Sequence, residues 1–353
     1  MKKKHLVIDA RMLQHSGIGT YLQNVIPYLK YDFKITLIGN KDLILKYDLD
    51  NIGEIVEFNE PIFSIAEQLN LPFIIPVCDI FWTPHFNVPF FIIRASKRFT
   101  TICDGYYFAH FDTFSFVQKI YTKLMVWRAI TSSKFIFTLS KFSKSELIKF
   151  TDCKDEKLLI VSCGLAENYN SGYQFQRIEQ KYILYVGNVK PHKNLRNALI
   201  AFKKIVKEFP AYKFYIVGKR EGFITQDDNL ADLILELNEA VFFTGYVDDG
   251  TLKNYYANAS IFLFPSKYEG FGLPPLEAMA FNIPIVSSNA ASIPEVGGDA
   301  ILYFDPNSPD EMVSQIKKVI KQEWKPNLEL YKKQIEKFNW KDVAQKHIDS
   351  FSI

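Results

Sequence analysis

Cysteine is scarce and unpatterned. Cys78, Cys103, Cys153 and Cys163 form no C-x-x-C pair and no metal-ligand spacing, so neither a disulfide framework nor a zinc site is expected, and reduced cytosolic thiols fit best. Long hydrophobic runs are also missing. No apolar stretch approaches the roughly 18 to 20 residues of a spanning helix, because prolines and charges interrupt each one. The apolar run Leu6 to Ile8 behind Met-Lys-Lys-Lys is cut by Asp9 and Arg11, too early for a secretory signal. A formal charge of +3 over 353 residues gives no electrostatic case for a nucleic-acid partner. Low-complexity tracts and internal repeats are absent. What these absences leave is a soluble or peripheral protein of the cytoplasm.

What is present is the material for two cores. The length exceeds that at which one hydrophobic core usually stops growing, and 48% apolar against 23% charged residues is an ordinary globular balance. Short β-branched and aromatic runs alternate with stretches of helical period, the pattern of parallel α/β sheets with crossover helices. Strands are expected at 5–10, 33–39, 79–83, 99–104, 135–140 and 158–163. The pattern restarts at 182–187, 213–218, 241–245, 261–265, 284–288 and 300–304. Residues 166–180 are polar, carry Gly172 and lack apolar periodicity, which marks a linker. The expected organisation is a Rossmann-like domain over 1–165, the linker, and a second Rossmann-like domain over 181–335. A terminal helix over 336–353 would pack back across the domains with Trp340, Val343, Ala344, His347, Ile348 and Phe351 on or near one face.

The strongest chemical signal is Glu269-Gly-Phe-Gly-Leu-Pro-Pro-Leu-Glu277, which follows an apolar strand. Pro274 and Pro275 are tolerated only in a first helical turn, so a helix should begin near Leu273 and carry Glu277. Gly270 and Gly272 let the backbone approach a ligand, with Phe271 between them, and the amides and dipole of a helix start favour a phosphate. A carboxylate suits a ribose diol. A second strand-turn-helix, Tyr185-Val-Gly-Asn-Val-Lys-Pro-His-Lys-Asn194, places Lys193 where an ammonium meets a diphosphate. The first strand runs through Asp9-Ala-Arg-Met into His15-Ser-Gly17-Ile-Gly19. Without a third glycine or a strand-closing acid, this turn disfavours a nicotinamide cofactor, and no cofactor is expected. Asp48-Leu-Asp50 matches a metal-binding D-x-D but lies away from the phosphate corners, so no metal is assigned to it.

These motifs resemble glycosyltransferase family 4, whose two-domain architecture with a cleft between Rossmann-like domains is called GT-B. The hallmark is a Glu, seven residues and a second Glu in a setting like that of Glu269 to Ala280. The likeness extends through Asn289-Ala-Ala-Ser-Ile-Pro-Glu-Val-Gly-Gly298 and Phe338-Asn-Trp340. Within the family the chain looks most like the branch containing mannosyltransferases of bacterial surface-polysaccharide assembly. The resemblance implies metal-independent transfer of a hexose, with retention of configuration, from a GDP- or UDP-linked donor to a glycan or lipid-linked acceptor. It implies a donor-binding second domain and an acceptor-side first domain.

Residue by residue, the resemblance puts Glu277 on the ribose, Glu269 near the transferred sugar and its phosphate, and Lys193 on the diphosphate. Gly17, Gly19, Asn188, His192, Val247 and the run Gly270, Phe271, Gly272, Leu273 complete the donor side. Two departures stand out. Many relatives have Arg where this chain has Asn188, so Lys190 or His192 would substitute. Relatives also commonly have His-Asp at the strand end where this chain has Cys103-Asp104, and a thiol replaces an imidazole poorly. Altered donor choice, a reduced rate, or a takeover of that role by His110 or His85 would follow.

Residues 116–130 interleave Lys119, Lys123 and Arg128 with Tyr121, Leu124, Met125, Val126 and Trp127. That suits a helix on an anionic membrane surface, at the inner face of the membrane, and equally a core helix with solvated basic residues. Two other readings share the motifs: a nucleotide-sugar epimerase of similar fold, and a catalytically silent sugar-nucleotide-binding partner in a polysaccharide assembly complex.

Overall fold

The computed structural model describes residues 3–167, 169–218 and 228–353; Asn168, within the expected linker, lies outside the described residues. The chain divides into two compact units, Met1–Ala166 with Phe338–Ile353, and Glu167–Lys337. Each is a Rossmann-like α/β unit.

In the first unit the strands are β1 (His5–Asp9), β2 (Lys34–Gly39), β3 (Glu54–Glu57), β4 (Cys78–Thr83), β5 (Ala95–Thr101), β6 (Phe135–Thr138) and β7 (Leu158–Ile160). All pairs are parallel, in the order β3-β2-β1-β4-β5-β6-β7. The chain builds outward from β1 to β3 and returns to lay β4 on the other side of β1. The strand ends at β1 and β4 are therefore where a doubly wound sheet opens a crevice. Leu6, Val7 and Ile8 are fully buried in succession, as expected for a parallel strand covered on both faces.

Two differences from the sequence expectation have simple causes. β3 was not expected, because Glu-Ile-Val-Glu is a four-residue edge strand with no buried residue. β5 begins at Ala95 and not at 99, since pairing with β4 recruits the polar Ser96, Lys97 and Arg98 into the ladder.

The second unit has β8 (Tyr182–Val186), β9 (Lys213–Val217), β10 (Val241–Gly245), β11 (Ile261–Phe264), β12 (Ile285–Ser288) and β13 (Leu302–Phe304). The order β10-β9-β8-β11-β12-β13 is again parallel, with its reversal between β8 and β11. The helix Leu195–Glu208 covers it with Leu195, Ala198, Leu199, Phe202 and Ile205 on one buried face.

The segment read as a linker is tied to the second unit through polar contacts. Asn170 Nδ2 donates to the Ala280 carbonyl at 2.6 Å, and the amides of Gln176 and Ile178 donate to the side chains of Asn254 and Asn258 at 2.8 and 3.0 Å. Anchoring of this kind needs no apolar period, which is why the segment resembled a free connection.

The terminal helix Trp340–Ser352 belongs to the first unit. It buries Trp340, Val343, Ala344, His347 and Phe351, each large apolar side chain contributing about 1.5–3 kcal/mol. Inside that face His347 Nδ1 lies 2.8 Å from the Val343 carbonyl, which can only accept, so the ring proton sits there and Nε2 accepts from the Tyr21 hydroxyl at 2.5 Å. Burial pushes the His347 imidazole down to about 4, keeping it neutral.

Candidate active site

Both chemical loops of the second unit leave the sheet at its reversal point. The loop after β8 turns through a short 3-10 stretch, Pro191–Lys193, into Asn194, which adopts the left-handed conformation at φ 60°. The buried Asn194 amide donates to the carbonyls of Pro265 at 3.0 Å and Pro306 at 2.7 Å. The Lys267 amide in turn donates to the His192 carbonyl at 2.8 Å. These bonds stitch the loop after β8 to the loop after β11. The result is that Lys193 Nζ sits 2.7 and 2.8 Å from the two carboxylate oxygens of Glu269. The side chains are 21% and 12% exposed, so the pair is sheltered and still reachable.

The glycine loop is held from behind. Ser292, fully buried, directs its hydroxyl to the carbonyls of Glu269 at 2.9 Å and Phe271 at 2.7 Å. Gly272 sits at φ 107°, a region that side chains disfavour, and ends the loop at the helix Leu273–Ala280. Because Pro274 and Pro275 carry no N–H, the donors at this helix start are concentrated in Gly272 and Leu273. The helix begins where the two prolines required.

Glu277 lies on the second turn, half-buried, and its Oε2 accepts from the Tyr256 hydroxyl at 2.8 Å. Burial pushes its carboxyl above the usual range, and Tyr256 and Tyr169 oppose that rise. The other expected donor-side residues take their places in the same unit. Asn188 is half-buried, with its carbonyl 3.4 Å from the Tyr185 hydroxyl. Val247 is half-buried beyond β10, next to the exposed Tyr246. Sequence reasoning missed Tyr169 and Tyr256, and it noted Asn194 and Ser292 only as parts of motifs.

The first unit holds its own polar cluster at the reversal between β1 and β4. Arg11 Nε and Nη2 grip Asp9 at 2.8 and 2.6 Å, and Nη2 also meets Glu67 at 2.7 Å. Glu67 accepts from Asn87 Nδ2 at 2.8 Å and from the Phe63 amide at 2.7 Å, and the Tyr121 hydroxyl donates to Asn87. Side-chain exposures of 4%, 5% and 0% for Asp9, Arg11 and Glu67 close this triad to solvent. Burial opposes the Arg11 charge, but the two carboxylates outweigh it and hold the guanidinium above its ordinary range.

Gly17 caps the helix Ile18–Leu29 at φ 81°. A side chain on Gly19 would place its Cβ 2.3 Å from the Leu13 carbonyl, so only glycine lets that helix pack on the preceding turn. Cys103 follows β5, and burial, reinforced by Asp104, holds its thiol well above the ordinary range and therefore protonated at neutral pH. The Asp104 carboxylate accepts from the Tyr106 amide at 2.9 Å. His85 Nδ1 accepts from the Asn87 amide at 3.1 Å, and burial pushes that imidazole down to about 4. His110 stacks on Tyr106 with centroids 4.5 Å apart.

Comparison with known proteins places this geometry. The family described as glycosyl transferases group 1 matches residues 174–338. The chain is 29% identical over 291 residues to O-antigen chain mannosyltransferase B of Escherichia coli, covering 78% of this chain and 74% of that protein. It is 30% identical over 282 residues to an uncharacterized glycosyltransferase of Haemophilus influenzae, covering 78% and 67%. Among solved structures, Anabaena HepE in complex with UDP and glucose superposes with a TM-score of 0.78 over 99% of each chain at 14% identity, a likeness of fold. The two tandem parallel sheets and these matches together make the chain a member of the glycosyltransferases, an enzyme of GT-B fold whose second unit carries the group 1 domain.

Proposed function

We propose that the protein is a retaining, metal-independent hexosyltransferase that moves mannose from a GDP- or UDP-linked donor to a glycan or lipid-linked acceptor, in the manner of glycosyltransferase family 4. The observation that carries this reading is the Lys193–Glu269 pair, both carboxylate oxygens within 2.8 Å of the ammonium at the reversal point of the second sheet. The leaving diphosphate gains negative charge as the glycosidic bond breaks. Lys193 and the amides at Gly270 to Leu273 stabilise that charge, while Glu269 fixes the ammonium and meets the hexose. Glu277 takes the ribose diol, with Asn188, His192 and Val247 along the donor.

The first unit is the acceptor-side domain; its Gly17 to Gly19 turn contributes to donor binding and its Cys103-Asp104 strand end to catalysis near the transferred sugar. The Cys103 thiol, protonated and a weak donor, replaces the imidazole that relatives commonly carry. Mannose is favoured by the name of the E. coli relative, and a nucleoside diphosphate by the UDP held in the Anabaena protein.

A lipid-linked acceptor also fits the surface of the first unit. The helix Phe116–Ser132 buries Thr122, Met125, Val126 and Ala129 and turns Phe116, Val117, Ile120, Leu124 and Trp127 outward. Lys119 and Lys123 border that stripe, and the helix has no acidic residue. The Phe90 amide donates to Gln68 Oε1 and the Phe90 carbonyl accepts from Arg128 Nε, so the adjoining loop is stitched between this helix and the helix Ile65–Ile74. Exposed Leu69, Phe73, Phe91 and Ile92 extend the apolar face. Such a face, apolar with basic borders, seats on an anionic membrane at its inner surface. No described helix is long and apolar enough to cross a membrane.

The test is thermal stabilisation by a panel of nucleoside diphosphates and their sugar conjugates, followed by turnover with the stabilising donor. A selective shift with one base, lost in Glu277→Ala, is expected, together with donor consumption that depends on acceptor. Consumption without an acceptor, yielding an epimerised sugar nucleotide, would favour an epimerase. Binding without any turnover would favour a silent partner.

A further inference from the structure

The Glu277 carboxylate is half-buried, and the donor that reaches it is neutral. Lys253 is the nearby cation, and it is engaged elsewhere: Nζ lies 2.9 Å from Asp249 Oδ2 and over the rings of Tyr169 and Tyr173, at 4.6 and 4.2 Å from their centroids. The Tyr173 hydroxyl also donates to Asp249, at 3.2 Å. What reaches Glu277 is the hydroxyl of Tyr256, at 2.8 Å.

Tyr256, on the helix Asp249–Asn258, is wholly buried and stacks on Phe281 with centroids 5.6 Å apart and rings 10° from parallel. Tyr169 meets Phe281 edge-on at 6.0 Å, and the neighbouring Asn170 is bonded to the Ala280 carbonyl. Both rings are thus fixed by packing that a phenylalanine would satisfy equally. The Tyr256 hydroxyl is spent on the carboxylate. An ionised carboxylate has about four acceptor positions, so one phenol leaves about three for a ligand.

We infer that Tyr256 is a positioning residue, which holds the Glu277 carboxylate through its phenolic donor and presents the remaining acceptor positions to the vicinal diol of the donor's ribose. The inference rests on the reading of Glu277 as the ribose-binding residue. The Tyr256 phenol favours the ionised form of Glu277, against burial and against Asp249, with Lys253 assisting. A ribose diol donates to the ionised form. Donor affinity therefore falls as pH drops through the Glu277 titration, and loss of a phenolic donor raises that titration so that the fall begins at higher pH.

The experiment uses the full chain with Tyr256→Phe and Glu277→Ala, measuring UDP and GDP binding by calorimetry from pH 5 to 9 and, with the active donor, KM and kcat. Tyr256→Phe should weaken the cognate nucleotide about tenfold, the scale of one hydrogen bond to a charged group. The pH onset should move upward, with kcat at saturating donor and the melting temperature preserved. If Glu277→Ala loses affinity while Tyr256→Phe keeps wild-type affinity and pH onset, the positioning role is overturned and the ribose assignment stands. If Glu277→Ala itself binds as wild type does, the ribose assignment fails and takes this inference with it. A parallel loss of kcat and melting temperature in Tyr256→Phe would make the phenol structural and overturn the proposal.

Discussion

The two units share one architecture and use its reversal point in opposite ways. In both, a parallel sheet changes direction beside its first strand, and in both a cation from the loop after that strand meets carboxylate there. In the second unit the pair is Lys193 with Glu269, partly open, one cation to one carboxylate. In the first it is Arg11 between Asp9 and Glu67, closed from solvent and bonded onward to Asn87 and Tyr121. The same crevice can expose a charge for chemistry or seal it for shape, and the neighbouring loops decide which. In the second unit, Gly272 at φ 107° and the prolines after it end the loop at the helix Leu273–Ala280. In the first unit the helix Ile65–Ile74 brings Glu67 across the opening.

If the triad is a structural lock, breaking it should cost the most. Arg11→Met leaves two carboxylates buried without their cation, an expected loss of about 3–5 kcal/mol. Urea unfolding should then show an early transition for the first unit, and a midpoint equal to that of wild type would mean the triad is not a lock. The open pair should behave in reverse. Lys193→Ala is expected to lower turnover about 10²–10³-fold, as loss of a group stabilising developing charge does, while the unfolding curve stays in place; near-normal turnover would remove Lys193 from the diphosphate.

The smallest effect is expected at the surface of the first unit. Trp127 is 54% exposed, whereas Trp82 and Trp340 are buried, so with the half-buried Trp324 replaced by Phe its emission should shift to the blue on vesicles containing phosphatidylglycerol and not on phosphatidylcholine alone. Ile120→Ser should weaken that partition by about 1–2 kcal/mol, and added salt should weaken it further. An unchanged spectrum with anionic vesicles would leave the apolar face without its membrane.

Much of this was legible beforehand. The apolar runs at β8 and β11 announce themselves because a doubly covered parallel strand must be apolar on both faces. The helix at Leu273 was marked by two prolines that fit only a first turn. β3 was not legible, since a short edge strand with glutamate at each end has no core face to advertise. Nor was the partnership of Arg11 with Glu67, residues 56 positions apart in sequence that only the crossover to β4 brings together. The polar segment after the first unit concealed its attachment because its bonds run through Asn170, Asn254 and Asn258, residue types that serve loops just as well.

The sequence by itself determined the class of this protein: two parallel α/β units, and a glycine-proline corner with a carboxylate at each end, because period, turn chemistry and proline geometry are local properties of the chain. The tertiary structure alone decided which charges face each other. Lys193 meets Glu269 because Asn194 and Ser292 pin two loops from different strands, and Glu277 is held by a tyrosine from a neighbouring helix. Contacts between residues far apart in sequence depend on strand order and loop packing, and hydrophobic period carries no record of either.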